Sequence, residues 1–155
     1  MSVANTYTGS TTVSSGTLVL GTSGSIASTT LGFGVTNTTS GVLAANNSAF
    51  AFTGTISLNL ASVTVGSQTW NLFGGTQFGP GDLDLADVTS NLGGLTFTQT
   101  LNVWSGTDLS SRTWSFTEST GVLSVVPEPG TFAMLLAAFG MLLGFQRTRR
   151  HAIKK

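Results

Sequence analysis

The amino-acid sequence predicts an all-β body, followed by a single transmembrane α-helix at the C-terminal end. Short runs in which apolar and polar residues alternate continue to about residue 126, and glycine, asparagine and serine separate them. Threonine, valine, leucine, phenylalanine and glycine are abundant, and these residue types favour strands and turns. A charge-free apolar stretch, residues 132–145, follows these runs and has the composition of a membrane helix.

Five runs carry the strand pattern, and turn residues bound each of them. They are, in chain order, residues 17–20, 55–65, 95–104, 112–117 and 121–126. In the third run, one face of a single strand is expected to carry Leu95, Phe97, Leu101 and Val103. No stretch before residue 129 has the 3.6-residue apolar period of an amphipathic helix. The strand pattern alone suits a β-sandwich, a barrel or a β-solenoid.

The opening stretch, residues 5–26, is about as long as one coil of a β-solenoid. It resembles the autotransporter-associated β-strand repeat, and the matching residues are Tyr7, Thr8, Gly9, Thr12, Val13, Gly16, Thr17 and Leu18. The resemblance implies a parallel β-helix, in which each coil is stable only when it stacks on a neighbour. Residues 27–126 contain no clear second copy, so we expect them to form terminal coils or a capping sheet.

The charges are distributed unevenly, although the net charge is zero. Five of the six basic residues lie in the last nine positions. The body before Pro127 contains five acidic residues and a single basic residue, Arg112. Such a body is a poor partner for nucleic acid, which needs clustered cations. The chain has no cysteine, which excludes disulfides, thiol catalysis and cysteine-based metal sites.

The first residues of the chain do not encode an export signal. Residues 1–6 contain neither the basic segment nor the apolar segment of a secretory signal peptide. Because an exported protein needs such a signal, the sequence predicts either a misplaced start or a fragment of a longer protein.

Pro127, Glu128 and Pro129 directly follow the last strand-like run. Two prolines around one residue disfavour both a helix and a sheet ladder, so this segment is expected to be extended and accessible to a processing enzyme. Residues 129–145 come next, and as a helix they would extend about 25 Å. That length is slightly less than the ~30 Å hydrocarbon core of a bilayer.

A basic cluster ends the chain and gives the predicted helix an orientation. Arg147, Arg149 and Arg150 flank the apolar stretch and can reach the lipid headgroups, which makes up the missing length. The positive-inside rule places these arginines and the basic end, residues 151–155, in the cytoplasm, with the β body on the outer side of the inner membrane. Buried core helices also contain apolar runs of this length, but this run is apolar all round, lies at the terminus and ends in a cationic cluster, which together favour a membrane helix.

These three parts, in this order, closely resemble the PEP-CTERM sorting signal, which is also known as the ice-binding protein C-terminal domain. The resemblance covers residues 126–150, and residues 126–131 carry its motif. It implies that an exosortase, an intramembrane transpeptidase, acts near this motif and removes the helix. The body, residues 1–125, would then pass to the cell surface or exopolymer matrix of a bacterium. Exopolysaccharide is a further candidate partner.

Three aspartates in one short segment are the first candidate for a binding site in the body. Asp82, Asp84 and Asp87 are spaced in the alternating way that oxygen ligands of calcium often are. The segment lacks the glycine and the terminal glutamate of an EF-hand loop, and Leu83 and Leu85 alternate as in a strand. A solvated strand edge is therefore the favoured interpretation, and we expect no metal and no cofactor.

Groups that could support catalysis are few. Asp108 and Glu118 are further carboxylates that a glycoside hydrolase could pair, but nothing in the sequence brings any two acids together. His151 is the only histidine and lies in the basic tail, so the body has no imidazole base for a Ser-His-Asp triad. We therefore expect that the protein is not an enzyme.

The favoured function is that of a non-enzymatic surface or matrix protein. A carbohydrate- or ice-binding module is the alternative, and it would use exposed tryptophans or regular threonine faces. Trp70, Trp104 and Trp114 lie in apolar or alternating runs, which favours packing in the core or at strand edges. The Thr-x-Thr pairs have no fixed period, so strand propensity explains them. A fragment of a secreted glycan-active enzyme is a third interpretation, which requires two facing carboxylates in a cleft.

Overall fold

The computed structural model describes residues 8–20, 26–45, 50–75, 78–127 and 134–141. These residues contain twelve strands and one helix, α1, at residues 134–141. The strands are β1 (Thr11–Val13), β2 (Gly16–Leu20), β3 (Thr30–Thr36), β4 (Gly41–Ala45), β5 (Thr55–Ser62), β6 (Gln68–Asn71), β7 (Phe73–Gly74), β8 (Asp87–Ser90), β9 (Thr98–Thr100), β10 (Val103–Thr107), β11 (Arg112–Thr117) and β12 (Val122–Pro127). The prediction of an all-β body is confirmed.

Two parallel sheets form the N-terminal part of the body. The first parallel sheet has the order β1-β3-β5-β8, and the second has the order β2-β4-β7. The chain runs three times through both sheets, first as β1 and β2, then as β3 and β4, and then as β5 and β7, and each of these runs is called a pass. A parallel bridge also links Phe52 and Leu83. Successive passes therefore stack on one another in parallel along two lines, and the bridge adds one contact on a third side.

Alternating side chains of the first parallel sheet build the core. Leu31, Phe33 and Val35 of β3 and Ile56 and Leu58 of β5 are all at most 2% exposed. The register places Leu31 beside Ile56 and Phe33 beside Leu58, so the buried residues form apolar ladders. Full burial of such a side chain stabilises a fold by about 1.5–3 kcal/mol. These ladders hold the stacked passes together.

Two glycines allow neighbouring passes to approach closely. A Cβ atom at Gly34 would collide with the backbone of Ser14, and one at Gly41 would collide with the carbonyl group of Val13. Any other residue at these two positions would therefore push β1 and the turn after it away from the next pass.

An antiparallel sheet, hereafter the C-terminal sheet, has the order β6-β12-β11-β10-β9. Since β6 belongs to the third pass, this sheet grows directly out of the stacked passes. The N–H groups of Leu72 and Phe73 both donate to the Gly121 carbonyl oxygen, at 2.9 and 3.3 Å. The fully buried side chains of the C-terminal sheet are Trp114, Phe116, Leu123 and Val125. One apolar core continues from the parallel sheets into the C-terminal sheet.

The prediction of one strand over residues 95–104 is wrong, because the chain forms a hairpin there. β9 ends at Thr100 and pairs with β10 from Val103 onward, so Leu101 and Asn102 form the connection. Leu101 has φ 56° and is 89% exposed, whereas Leu95 and Phe97 are buried. Such turns usually carry glycine or asparagine at positive φ, and leucine gives no turn signal in the sequence.

The C-terminal helix is short in the described part of the chain. α1 has eight residues and is about 12 Å long. Among the described residues, no helix is long and apolar enough to cross a membrane. Residues 129–133 and 142–145 of the predicted transmembrane stretch lie outside the described residues, so that helix stays a prediction. The large apolar side chains of α1 that lie exposed are Met134, Leu135, Leu136, Phe139 and Met141.

Candidate functional site

The last strand of the C-terminal sheet leads directly into the predicted sorting motif. β12 ends at Pro127, which pairs with Arg112 of β11. β6 pairs with β12 only as far as Val125, so Pro127 has a neighbouring strand on one side, where a missing N–H is tolerated. The other motif residues, Glu128 and Pro129, lie outside the described residues. Pro127 therefore ends the sheet and begins the motif, with no linker between them.

The predicted membrane-anchor arginines cannot be placed relative to this strand end. Arg147, Arg149 and Arg150 lie outside the described residues. Their role therefore stays a prediction from the sequence.

An ion pair holds the strand end that lies opposite Pro127. Arg112 Nε donates to Asp108 Oδ2 over 2.7 Å. Arg112 Nη1 donates to the carbonyl oxygens of Val63 and Val65, at 3.0 and 3.2 Å. The arginine thus ties the C-terminal sheet to the segment that follows β5.

Hydrogen bonds keep the buried carboxyl group of Asp108 ionised. Oδ1 accepts the backbone N–H groups of Ser110 and Arg112, at 2.8 and 3.1 Å, and Oδ2 also accepts Trp114 Nε1 at 2.9 Å. Burial alone raises the pKa of this carboxyl, but the bonds from Trp114, Arg112 and Ser110 outweigh burial and lower its pKa below the ordinary value. Sequence reasoning found these residues only as charges, because a spacing of four residues carries a pairing signal in helices and not in this turn.

Glu118 has a similar place beside a second tryptophan. Its Oε1 accepts Trp104 Nε1 at 2.6 Å, Gln99 Nε2 at 3.1 Å and the Leu85 N–H at 3.4 Å. Its side chain is buried, as that of Asp108 is. The two acids that sequence reasoning offered as glycosidase candidates thus serve different tryptophans of one sheet, and both are buried acceptors.

The three aspartates of the predicted acidic segment lie around the third pass. Asp82 Oδ2 accepts the Gly79 N–H at 2.7 Å and closes a turn. Asp84 and Asp87 are exposed, while Leu83 between the first two is buried. The described residues contain no group of three acidic, histidine or cysteine side chains that could hold a metal ion.

The tryptophans and threonines occupy different places. Trp70, Trp104 and Trp114 are 4%, 6% and 0% exposed, which confirms the prediction of core packing and removes their rings from any sugar-binding surface. Trp70 and Trp114 stack with ring centroids 6.1 Å apart. On the outward face of the first parallel sheet, one row across the strands contains Thr12, Gly32, Ser57 and Thr89. That row mixes residue types and is not a regular threonine array.

The comparison with known families identifies the C-terminal segment. Residues 125–150 match the family model of the PEP-CTERM protein-sorting motif, which confirms the predicted sorting signal. The match begins at Val125, inside β12. No curated protein and no solved structure matches this chain.

A PEP-CTERM motif implies an exported protein that an exosortase-type enzyme recognises, with the cell envelope or surface as its destination. The match does not extend to residues 5–26, whose resemblance to the autotransporter-associated repeat stays a prediction.

Proposed function

We propose that this protein is a non-enzymatic component of the bacterial cell surface or exopolymer matrix, sorted through residues 125–150. The observation that carries the proposal is the match of this segment to the PEP-CTERM protein-sorting motif. In the folded chain the segment starts within β12, so the exported body and its sorting signal are directly joined. The body is the part that is exported, and the segment after it is the sorting signal.

The body is proposed to be the end of a parallel β-helix. Three stacked passes with parallel pairing of β1, β3 and β5 and of β2, β4 and β7 support this proposal. The C-terminal sheet then acts as the cap that repeat architectures need at their ends. A body of this kind suits spacing or adhesion outside the cell, and neither role needs a catalytic site.

The apolar residues after the motif are proposed to hold the protein in the inner membrane until an exosortase acts. The uncharged sequence of residues 132–145 and the arginines at 147, 149 and 150 support this step. A non-enzymatic role is supported by Asp108 and Glu118, whose carboxylates are buried and engaged by tryptophan N–H groups.

Processing with and without an exosortase tests the proposal. The full chain, expressed behind a secretory signal peptide in a host with an active exosortase, is expected to lose its C-terminal segment and to appear outside the cell. Replacing Glu128 and Pro129 with alanine, alone and together with Pro127→Ala, is expected to leave the unprocessed chain in the membrane. Pro80→Ala is the matched control, because Pro80 is the remaining proline and lies in an exposed turn of the body.

Mass spectrometry of the released body and of the membrane fraction gives the readout. Release that does not depend on exosortase, or that survives the triple substitution, contradicts the proposal. Glu128→Ala with Pro129→Ala leaves β12 intact, so a defect in this variant cannot come from misfolding of the sheet.

A further inference from the structure

The outward face of the first parallel sheet carries a shallow groove that neither the core nor the sorting motif uses. Its volume is about 260 Å³. The side chains that give it hydrogen-bonding groups are Ser10, Thr12, Thr30, Ser57, Asn59 and Asn91. All of them are uncharged, and they come from successive passes of the chain. The groove therefore exists only when the passes are stacked.

Gly32 lines the groove, and the Thr12 side chain lies over it, with Thr12 Oγ1 2.7 Å from the position that a Cβ atom of Gly32 would take. In one row across the strands, Gly32 lies between Thr12 and Ser57, and it is the residue of these three without a side chain. Neighbouring strands are about 4.8 Å apart, and residues on one face of a strand are about 6.7 Å apart. The polar side chains of the groove therefore repeat at about these two spacings.

The backbone at Leu60 orients Asn91, and Asn91 in turn orients Asn59. The Leu60 N–H donates to Asn91 Oδ1 over 2.8 Å, which fixes the amide orientation of Asn91 because only its oxygen can accept. Asn91 Nδ2 then donates to Asn59 Oδ1 over 2.7 Å. This bond turns the Asn59 amide nitrogen away from Asn91. An exposed amide donor is thereby held at the groove without a ligand.

Further hydrogen bonds hold the rims of the groove in place. The Ser28 hydroxyl lies 2.6 Å from the Gly9 carbonyl oxygen and 2.7 Å from the Thr30 carbonyl oxygen, and so joins the first pass to the second. Thr89 Oγ1 donates to the Ile56 carbonyl oxygen over 3.3 Å and joins the third pass to β8, the edge strand of the first parallel sheet. A surface ordered before binding loses less entropy when a ligand arrives.

The charges around the groove select the class of ligand. The body's single basic residue, Arg112, is bound to Asp108, and anionic polymers need cations to bind them. Asp87, in the row next to Ser57, is exposed and repels anions. Hydroxyl and amide groups remain, and they match the hydroxyl groups of an uncharged sugar polymer. We propose that this groove binds a neutral polysaccharide that lies across β1, β3 and β5.

This inference rests on the proposed function, because it names the polymer that a surface or matrix protein of this kind would bind. Affinity electrophoresis tests it with the full-length chain in a zwitterionic detergent that contains no sugar. The gels contain dextran or hydroxyethylcellulose as neutral polymers, and alginate as the anionic polymer. Because no exosortase is present, a failure here leaves the processing result untouched, and a failure of processing leaves this measurement untouched.

Arginine substitutions supply the variants. Ser57→Arg fills the groove and is expected to lower the affinity for the retarding neutral polymer at least about tenfold, a loss of about 1.4 kcal/mol. Thr100→Arg is the matched control, because Thr100 is an exposed threonine on β9 of the C-terminal sheet and the added charge is the same. Its affinity should stay within about twofold of the unmodified chain. Thr12→Arg, at the exposed rim, replaces Ser57→Arg if thermal unfolding shows that the latter is misfolded.

Three outcomes would overturn the proposal. The first is that neither neutral polymer retards the unmodified chain. The second is that alginate binds more tightly than both neutral polymers. The third is that a folded groove variant binds as tightly as Thr100→Arg. Retardation by a neutral polymer that the groove variant loses and the control keeps supports it.

Discussion

Replacing Asp108 with asparagine measures how strongly the ion pair opposite Pro127 holds the C-terminal sheet. The carboxylate accepts two hydrogen bonds at each oxygen. Asparagine keeps one oxygen, so its NH₂ group must face either two backbone N–H groups or the donors of Arg112 and Trp114. Two bonds are lost in both cases, and the arginine loses its counter-charge. Removing one partner of a buried pair costs about 3–5 kcal/mol, and side-chain exposures of 2% and 14% place this pair in that range.

Urea unfolding followed by tryptophan fluorescence measures this loss, because the stacked rings of Trp70 and Trp114 separate when the sheet opens. Asp84→Asn is the matched control at an exposed aspartate, and its effect should stay within about 0.5 kcal/mol. A loss below about 1 kcal/mol for Asp108→Asn would refute the argument that the ion pair holds the sheet.

Three further predictions concern the same sheet. The folded-state pKa of Asp108 lies below its unfolded value of 3.8, so the stability that its ionised carboxylate contributes is present above that pH and is lost as the pH falls below it. The difference in unfolding free energy between the unmodified chain and Asp108→Asn should therefore close when urea unfolding is repeated in acid. A difference that stays constant would contradict this. Glu118→Gln keeps an acceptor for Trp104 and should lower the free energy of unfolding by about 1 kcal/mol, whereas Glu118→Ala should lower it by about 3 kcal/mol in the same assay. Equal losses in the two variants would contradict the assigned hydrogen bonds. Leu101→Gly relieves a positive φ and should raise stability by about 1 kcal/mol, seen as a higher thermal midpoint, whereas the exposed Leu109→Gly should not; a lower midpoint for Leu101→Gly would contradict the turn geometry.

The sequence predicted strands well where each strand buries one face. β11 covers the predicted residues 112–117, and its alternation buries Trp114 and Phe116. Parallel pairing carries no such local signal, because it depends on the spacing between passes. Thr30 pairs with Thr55, 25 positions later, and Thr55 pairs with Asp87, 32 positions later. The third pass is longer because it contains β6, which leaves the stack to join the C-terminal sheet, and this detour hides the period.

The sorting motif could be predicted because its signal is linear, with prolines, apolar residues and arginines in chain order. The groove could not be predicted from the sequence, because its polar side chains come together only when different passes stack. Asn59 and Asn91 are 32 residues apart and share no motif. The partners of Glu118 were equally hidden, since Leu85 and Glu118 are 33 residues apart. Long-range hydrogen bonds of this kind depend on the register of the sheets, which single residues do not encode.

The position of β12 has a mechanical consequence if the protein is held through the segment after Pro127, as the proposed function requires. β12 lies between β6 and β11, and its last residue is Pro127. Tension applied at Pro127 along the strand axis would load the ladder bonds to β6 and β11 in shear, so they would share the load instead of opening one after another. Resistance of this kind is set by the rate of unfolding under force, not by equilibrium stability. The strand that carries the start of the sorting segment would thus also carry any pull transmitted through that segment.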